Sequence, residues 1–211
     1  FRESIELGYS SDLRFCGFSR PTCAGFGRLK VPINESIPMS LSLSAAVLPT
    51  YQQILPAVLG YLEKGRAHYE AAGEDINDAV QLKLIADMQP LHFQMVSVVH
   101  HSMNALISTE TGNAGPPDFS LAFDYAGLTH HVQTALDAVN SADLADLDAR
   151  ADSPVVFRMG SREMPFTATN YLLSFSLPNF YFHATTGYDL LRMQGVKLSK
   201  MDYLGAMRLG G

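Results

Sequence analysis

Seven histidines carry most of the chemistry that this 211-residue chain can offer: His68, His92, His100, His101, His130, His131 and His183. An imidazole titrates near neutral pH and can bind a divalent metal, so their value depends on which of them share a face. With successive residues turned by about 100° around a helix axis, Gln94, Ser97, His101 and Asn104 fall on one polar ribbon. It runs beside an apolar face of Leu91, Met95, Val98, Val99, Met103 and Leu106. Such a ribbon is expected to be the solvated side of an amphipathic helix. His130 lies opposite the Leu128 and Val132 stripe and is expected in solvent, with His131 at the stripe's edge.

His183 sits in a segment that is apolar almost all round. Asn179, His183 and Thr186 lie along one line of it, and Gly187 is expected to leave room for something to approach the ring. Two readings stand side by side: a hydrogen-bonded core histidine, and a ligand-binding or proton-transferring one. No acidic partner for it can be placed from the sequence. If antiparallel packing brings the two ribbons together, Gln94, His101, Asn179, His183 and Thr186 enclose a small polar pocket between helices.

Standard enzyme signatures are absent: there is no glycine-rich phosphate loop, nucleophile elbow, paired-cysteine zinc pattern or His-Glu-x-x-His. No catalytic residue is identified, no cofactor is expected, and whether the chain is an enzyme stays open. Its net charge of −6 repels phosphate backbones and anionic lipid surfaces, which excludes nucleic acid and membrane as partners. A small molecule and a second copy of the chain remain as candidate partners. Cys16 and Cys23 are the only cysteines and are expected as free thiols, which goes with a soluble, cytoplasmic protein.

Residues 1–38 mix Gly, Ser, Pro, Arg and Phe without a period and are expected to be a disordered extension. Their basic residues nearly match their acidic ones, so the acidity belongs to the domain expected at 39–211. Ile37 to Leu62 carries no charge, yet Pro49, Pro56, Gln52 and Gln53 interrupt it. Tyr51, Ile54, Leu55, Val58, Leu59 and Leu62 recur at helical spacing, which marks a first amphipathic helix over about Ser42–Ala71, started or kinked at Pro49 or Pro56 and capped by Gly73.

A short helical piece is expected at Asp78–Ile85, and Pro90 opens a second long helix to about Ser108. After a loop at Gly112–Pro117, Asp118 or Ser120 caps a third helix. Its stripe is Leu121, Tyr125, Leu128, Val132, Leu136 and Val139. Pro154–Phe166 reads as a β-hairpin turning at Gly160-Ser161, after which Thr167 or Thr169 caps a fourth helix, interrupted at Pro178 and ending near Gln194. With no formal charge from Met164 to Tyr188, this helix is expected to be the most buried, anchored by Phe180, Tyr181, Phe182 and Tyr188. The fold class is mainly α, an antiparallel four-helix bundle with a short β-hairpin before the last helix.

The run Leu177-Pro178-Asn179-Phe180-Tyr181-Phe182-His183-Ala184-Thr185-Thr186, with Gly195-Val196 and Lys200-Met201-Asp202-Tyr203-Leu204-Gly205, resembles the signature of the family catalogued as domain of unknown function nineteen ninety-three. Met39-Ser40-Leu41-Ser42-Leu43 and Asp87-Met88-Gln89-Pro90-Leu91 with Gln94 resemble it too. The resemblance covers residues 39 to about 205 and implies a DinB-like bundle. Many DinB-like proteins carry a three-histidine metal site, in some relatives used for thiol transfer. The site pairs His-x-x-x-His on the fourth helix with one histidine on the second. Here Asn179 and Gly187 stand on either side of His183, and only His100 or His101 can supply the second-helix ligand. No tightly bound transition metal is therefore expected. The leading reading is a non-metal small-molecule pocket or an interaction surface. A divergent metal-dependent hydrolase or thiol transferase, and a structural or stress-related module, are the alternatives.

Overall fold

The computed structural model describes residues 41–210. The extension expected at 1–38, with Cys16 and Cys23, lies outside the described residues.

Helix α1 spans Leu43–Ala72: Ser42 caps its start by accepting from the Ala45 amide, and Gly73 closes it in the left-handed conformation at φ 72°. That conformation suits a residue without a Cβ, which is why the chain turns there. Pro49 and Pro56 lie inside α1 rather than at its start. A six-residue 3-10 turn, Ile76–Gln81, stands where the short helical piece was expected.

The second helix is one rod in three parts. Helix α2 (Leu91–Val99) follows Pro90, a π-helical segment covers His100–Asn104, and α3 (Ala105–Thr111) ends at Gly112 with φ 70°. Helix α4 spans Tyr125–Asn140 and is capped by Asp124, which accepts from the Gly127 amide. The cap expected at Asp118 or Ser120 is corrected: Asp118 instead accepts from the Ser120 amide two residues on, closing a local turn that keeps Leu121 out of the helix. A short helix α5, Leu144–Ala149, was not anticipated.

Strand β1 (Asn113–Ala114) occupies part of the expected loop and runs parallel to β2 (Pro154–Met159). Strand β3 (Arg162–Thr167) pairs antiparallel with β2 in the expected hairpin, Pro154 opposite Thr167 and Met159 opposite Arg162. Thr167 then caps α6 (Ala168–Asn170), which leads through a second π-helical segment, Tyr171–Ser176, into α7 (Leu177–Met193). Helix α8 (Lys200–Leu204) closes the described part with a capping box between Ser199 and Asp202.

The core is built from α1, α2, α4 and α7. Val47, Tyr51, Leu55, Val58, Tyr61 and Leu62 of α1 are buried, as are Leu91, Met95, Val98 and Val99 of α2, Leu128 and Val132 of α4, and Phe180 and Leu190 of α7. At about 25 cal/mol per Å² of apolar surface, such side chains supply the main driving force for folding. The expectation that the fourth helix is the most buried is corrected. Tyr181 and Phe182 of α7 are exposed, Phe182 by 55%, whereas seven of the nine residues of α2 are buried. Helix α2 is covered because α7 lies on one side of it and α4 on another. An uncharged helix need not be a central one. Among the described residues no helix is long and apolar enough to cross a membrane.

Candidate functional site

Gln94, Ser97 and His101 succeed one another along the rod that begins with α2, and α7 covers them. Gln94 is 2% exposed, His101 4% and Ser97 fully buried. The solvated-face reading of this ribbon is thereby overturned, because the amphipathic pattern shows which side is apolar but not what packs over the polar side. Asn104, at the ribbon's far end, is half-buried.

The two ribbons meet at His183, itself 8% exposed: its Nδ1 lies 2.7 Å from Gln94 Oε1. Gln94 Nε2 donates to the Gln89 carbonyl at 2.8 Å, which turns the amide oxygen toward the ring. The imidazole therefore carries its proton on Nδ1 and donates it to Gln94, so that in the neutral ring Nε2 holds a lone pair. His101 lies parallel to His183, centroids 5.7 Å apart at an interplanar angle of 4°, and His100 stands edge-on to His101 at 4.8 Å.

Burial pushes the pKa of His101 down to about 3, reinforced by the neighbouring His100 and His183. Burial, then His100, pushes His183 down to about 4. His100 is also lowered by burial, against a bond to the Gly115 backbone that works the other way. All three are neutral rings at physiological pH, because a buried imidazolium loses its hydration without gaining a counter-ion. Ser97 Oγ, His100 Nε2 and His101 Nδ1 are buried and lack a hydrogen-bond partner among the described residues. A buried polar group left so costs about 1–3 kcal/mol, and native proteins hold few of them.

The five residues expected to line a pocket separate into two groups. Gln94, His101 and His183 are in contact. Asn179 and Thr186 are tied back to their own helix, Asn179 Nδ2 donating to the Phe175 carbonyl at 2.7 Å and Thr186 Oγ1 to the Phe182 carbonyl at 2.8 Å. Gly187 leaves no room beside His183, contrary to expectation. A Cβ there would stand 2.4 Å from the Met95 methyl and 2.9 Å from the Tyr61 hydroxyl, so this glycine lets α7 approach α1 and α2.

His100 and Ser97 stand beside Gln94, His101 and His183, although the sequence reading set Ser97 only on the ribbon and His100 only as an alternative to His101 for a metal ligand. In a regular helix, residues 100 and 101 point about 100° apart. The π-helical turn at His100–Asn104 widens the helix where both rings are buried, and π-helical turns recur at functional sites. A second such turn ends at Ser176, whose hydroxyl donates to the His101 carbonyl at 2.9 Å. The hairpin contributes Phe157, which packs on Phe175 at 4.9 Å, and Phe175 in turn stands edge-on to His101 at 5.7 Å.

A model of the family described as Domain of unknown function (DUF1993) matches residues 43–204. The chain belongs to this family. No curated protein sequence matches it significantly. Among solved structures it is similar to a DinB family member protein from Shewanella denitrificans, with 24% identity, a TM-score of 0.67, and coverage of 80% of this chain and 95% of that one. That likeness supports a DinB-like helical fold for this DUF1993 chain.

Much of the family-like C-terminal motif has a structural role. Tyr61 donates to the Ala184 carbonyl at 3.1 Å, Gln53 Nε2 to the Leu204 carbonyl at 2.8 Å, and Asp202 pairs with Lys64. Gly205 has φ 62°, and a Cβ there would meet the Gln53 carbonyl at 3.0 Å. The three-histidine metal site that the DinB-like resemblance implies does not fit these residues. One position four residues from His183 holds an amide bonded to its own helix, and the other holds a glycine whose space Met95 and Tyr61 fill. Among the described residues, no group of three or more His, Cys, Asp or Glu is placed to hold a metal ion.

Proposed function

We propose that this DUF1993 protein binds a small, uncharged polar molecule in the seam between α2 and α7. The contacts would come from Gln94, Ser97, His100, His101 and His183, with no transition metal. One observation carries the reading: three buried polar atoms, Ser97 Oγ, His100 Nε2 and His101 Nδ1, lack partners beside a histidine that Gln94 holds in one orientation. Neutral imidazoles offer one donor and one acceptor each, and the serine hydroxyl adds both. A molecule with alternating donors and acceptors would satisfy them, whereas an ion would find no counter-charge. The alternative of a metal-dependent hydrolase or thiol transferase draws support from the fold alone, and fold does not carry function with it.

The test is native mass spectrometry and elemental analysis of untagged protein, run on the wild type, His101→Ala and His183→Ala. The expected result is a low-mass adduct that both substitutions abolish, with metal well below stoichiometric. Stoichiometric zinc, nickel or iron that disappears in both variants would replace this reading with a metalloenzyme.

A further inference from the structure

Beside the seam, a cleft of about 530 Å³ opens between the start of α2 and residues 118–124, and Phe93 of its wall stands edge-on to His183 at 5.7 Å. The cleft lies within the volume range of small-molecule sites, about 300–1,000 Å³. Two aromatic pairs contribute to its walls. Phe93 stacks on Phe119 at 5.2 Å and 18°, and His92 stacks on Phe123 at 6.2 Å and 26°. Phe119 is 67% exposed, so part of its ring is open to a ligand in the cleft. His92 Nε2 accepts from the Phe123 amide at 3.2 Å, and burial lowers its pKa, so this ring adds no positive charge.

Two carboxylates complete the wall. Asp118 Oδ1 accepts from the Ser120 amide and hydroxyl, which holds its pKa below the ordinary carboxylate value, and Asp124 Oδ1 accepts from the Gly127 amide. Each carboxylate thus has one oxygen held by the chain, and both residues are exposed. No lysine or arginine is among the described lining residues. The wall is tied down where it enters α4: the Tyr125 amide donates to Asn77 Oδ1 at 3.1 Å and the Phe123 amide to His92 Nε2 at 3.2 Å, while its start is held by the local turn at Asp118–Ser120.

We propose that this cleft binds a small organic cation, an amine or quaternary ammonium joined to a flat apolar group. Aromatic faces attract cations through their quadrupole, and two carboxylates without a compensating base add a negative field. An anion would meet repulsion, and a neutral ring would gain only the apolar contact. This inference does not depend on the reading of the seam, because neither His101 nor His183 lines the cleft.

The test is calorimetric titration of the full chain with benzyltrimethylammonium, benzyl alcohol and benzoate. The ammonium is expected to saturate one site and to bind at least about tenfold more tightly than the other two, the size of one well-placed cation–π contact with a carboxylate added. Phe119→Ala and Asp118→Asn are each expected to weaken it by about threefold or more, with an unchanged circular dichroism spectrum. Both lie on the surface, so folding is not at risk. In Asp118→Lys the preference is expected to turn toward benzoate. Absence of saturable ammonium binding, equal binding of benzyl alcohol, or an ammonium affinity untouched by Phe119→Ala and Asp118→Asn would each overturn the proposal.

Discussion

The two sides of α2 are buried to the same extent and satisfied to different extents. One side places Leu91, Met95, Val98 and Val99 into an apolar core shared with α1 and α4. There Tyr61 donates to the Ala184 carbonyl and Tyr125 to the Leu62 carbonyl, and the unpartnered polar atoms are isolated tyrosine hydroxyls, those of Tyr51 and Tyr171, each on a ring that packs as an apolar group. The other side carries Ser97 and leads into His100 and His101 of the π-helical segment, each with an orphaned atom. Packing alone favours the first arrangement everywhere. A seam that departs from it costs stability, and sites that depart from optimal packing tend to be functional.

The largest effect expected on the core side is for Phe180→Ala, since Phe180 is fully buried and stacks edge-on against Tyr51 at 4.9 Å. Urea unfolding should show a loss of about 3–5 kcal/mol. A loss under about 1 kcal/mol would mean that the Phe180 ring is not packed in the core.

The seam should reveal itself through pH. His101 and His183 have folded-state pKa values of about 3 and 4, below the ordinary histidine value of 6.5. The unfolded chain therefore takes up protons that the folded chain refuses. Stability from this source is fully present above pH 6.5 and is lost as pH falls, until about pH 4 for His183 and about pH 3 for His101. The slope is about 1.4 kcal/mol per pH unit for each histidine in its window. His101→Leu should flatten the urea midpoint between pH 6 and 4 relative to wild type. An unchanged slope would show that the ring is hydrated.

Smaller effects separate the two kinds of buried polar group. Gln94→Ala strips His183 Nδ1 of its acceptor and should cost about 1–3 kcal/mol at pH 7, measured by chemical denaturation. Ser97→Ala removes an orphan instead of creating one, so in ligand-free protein its effect should lie between neutral and slightly stabilising. Were Ser97→Ala to cost as much as Gln94→Ala, its hydroxyl has a partner in solution and the contrast between the two sides of α2 fails.

Local chemistry was legible from the sequence at several element ends, though not at α4, whose cap is Asp124 rather than Asp118 or Ser120. Ser42 and Gly73 bound α1, Thr167 caps α6, and the turn at Gly160-Ser161 falls between β2 and β3, all as the residue types require. The ribbon of Gln94, Ser97 and His101 was legible as a line, and its meeting with His183 as a possibility of antiparallel packing. Its burial was not, because a wheel cannot show that α7 lies over it. The π-helical turns left no periodic mark, so His100 was named only as an alternative to His101 for a second-helix metal ligand and not as a pocket residue. Gly187 was misread for a related reason: whether the space beside a glycine is empty depends on Met95 and Tyr61, which come from two other helices.

What occupies the seam would be revealed by a crystal structure of untagged protein at a resolution that shows ordered water. The prediction is non-protein density, without an anomalous metal signal, within hydrogen-bonding distance, about 3 Å, of Ser97 Oγ, His100 Nε2 and His101 Nδ1. Bonds of all three atoms to protein groups alone, with no density between the rings, or a metal peak bound by His183, would contradict it.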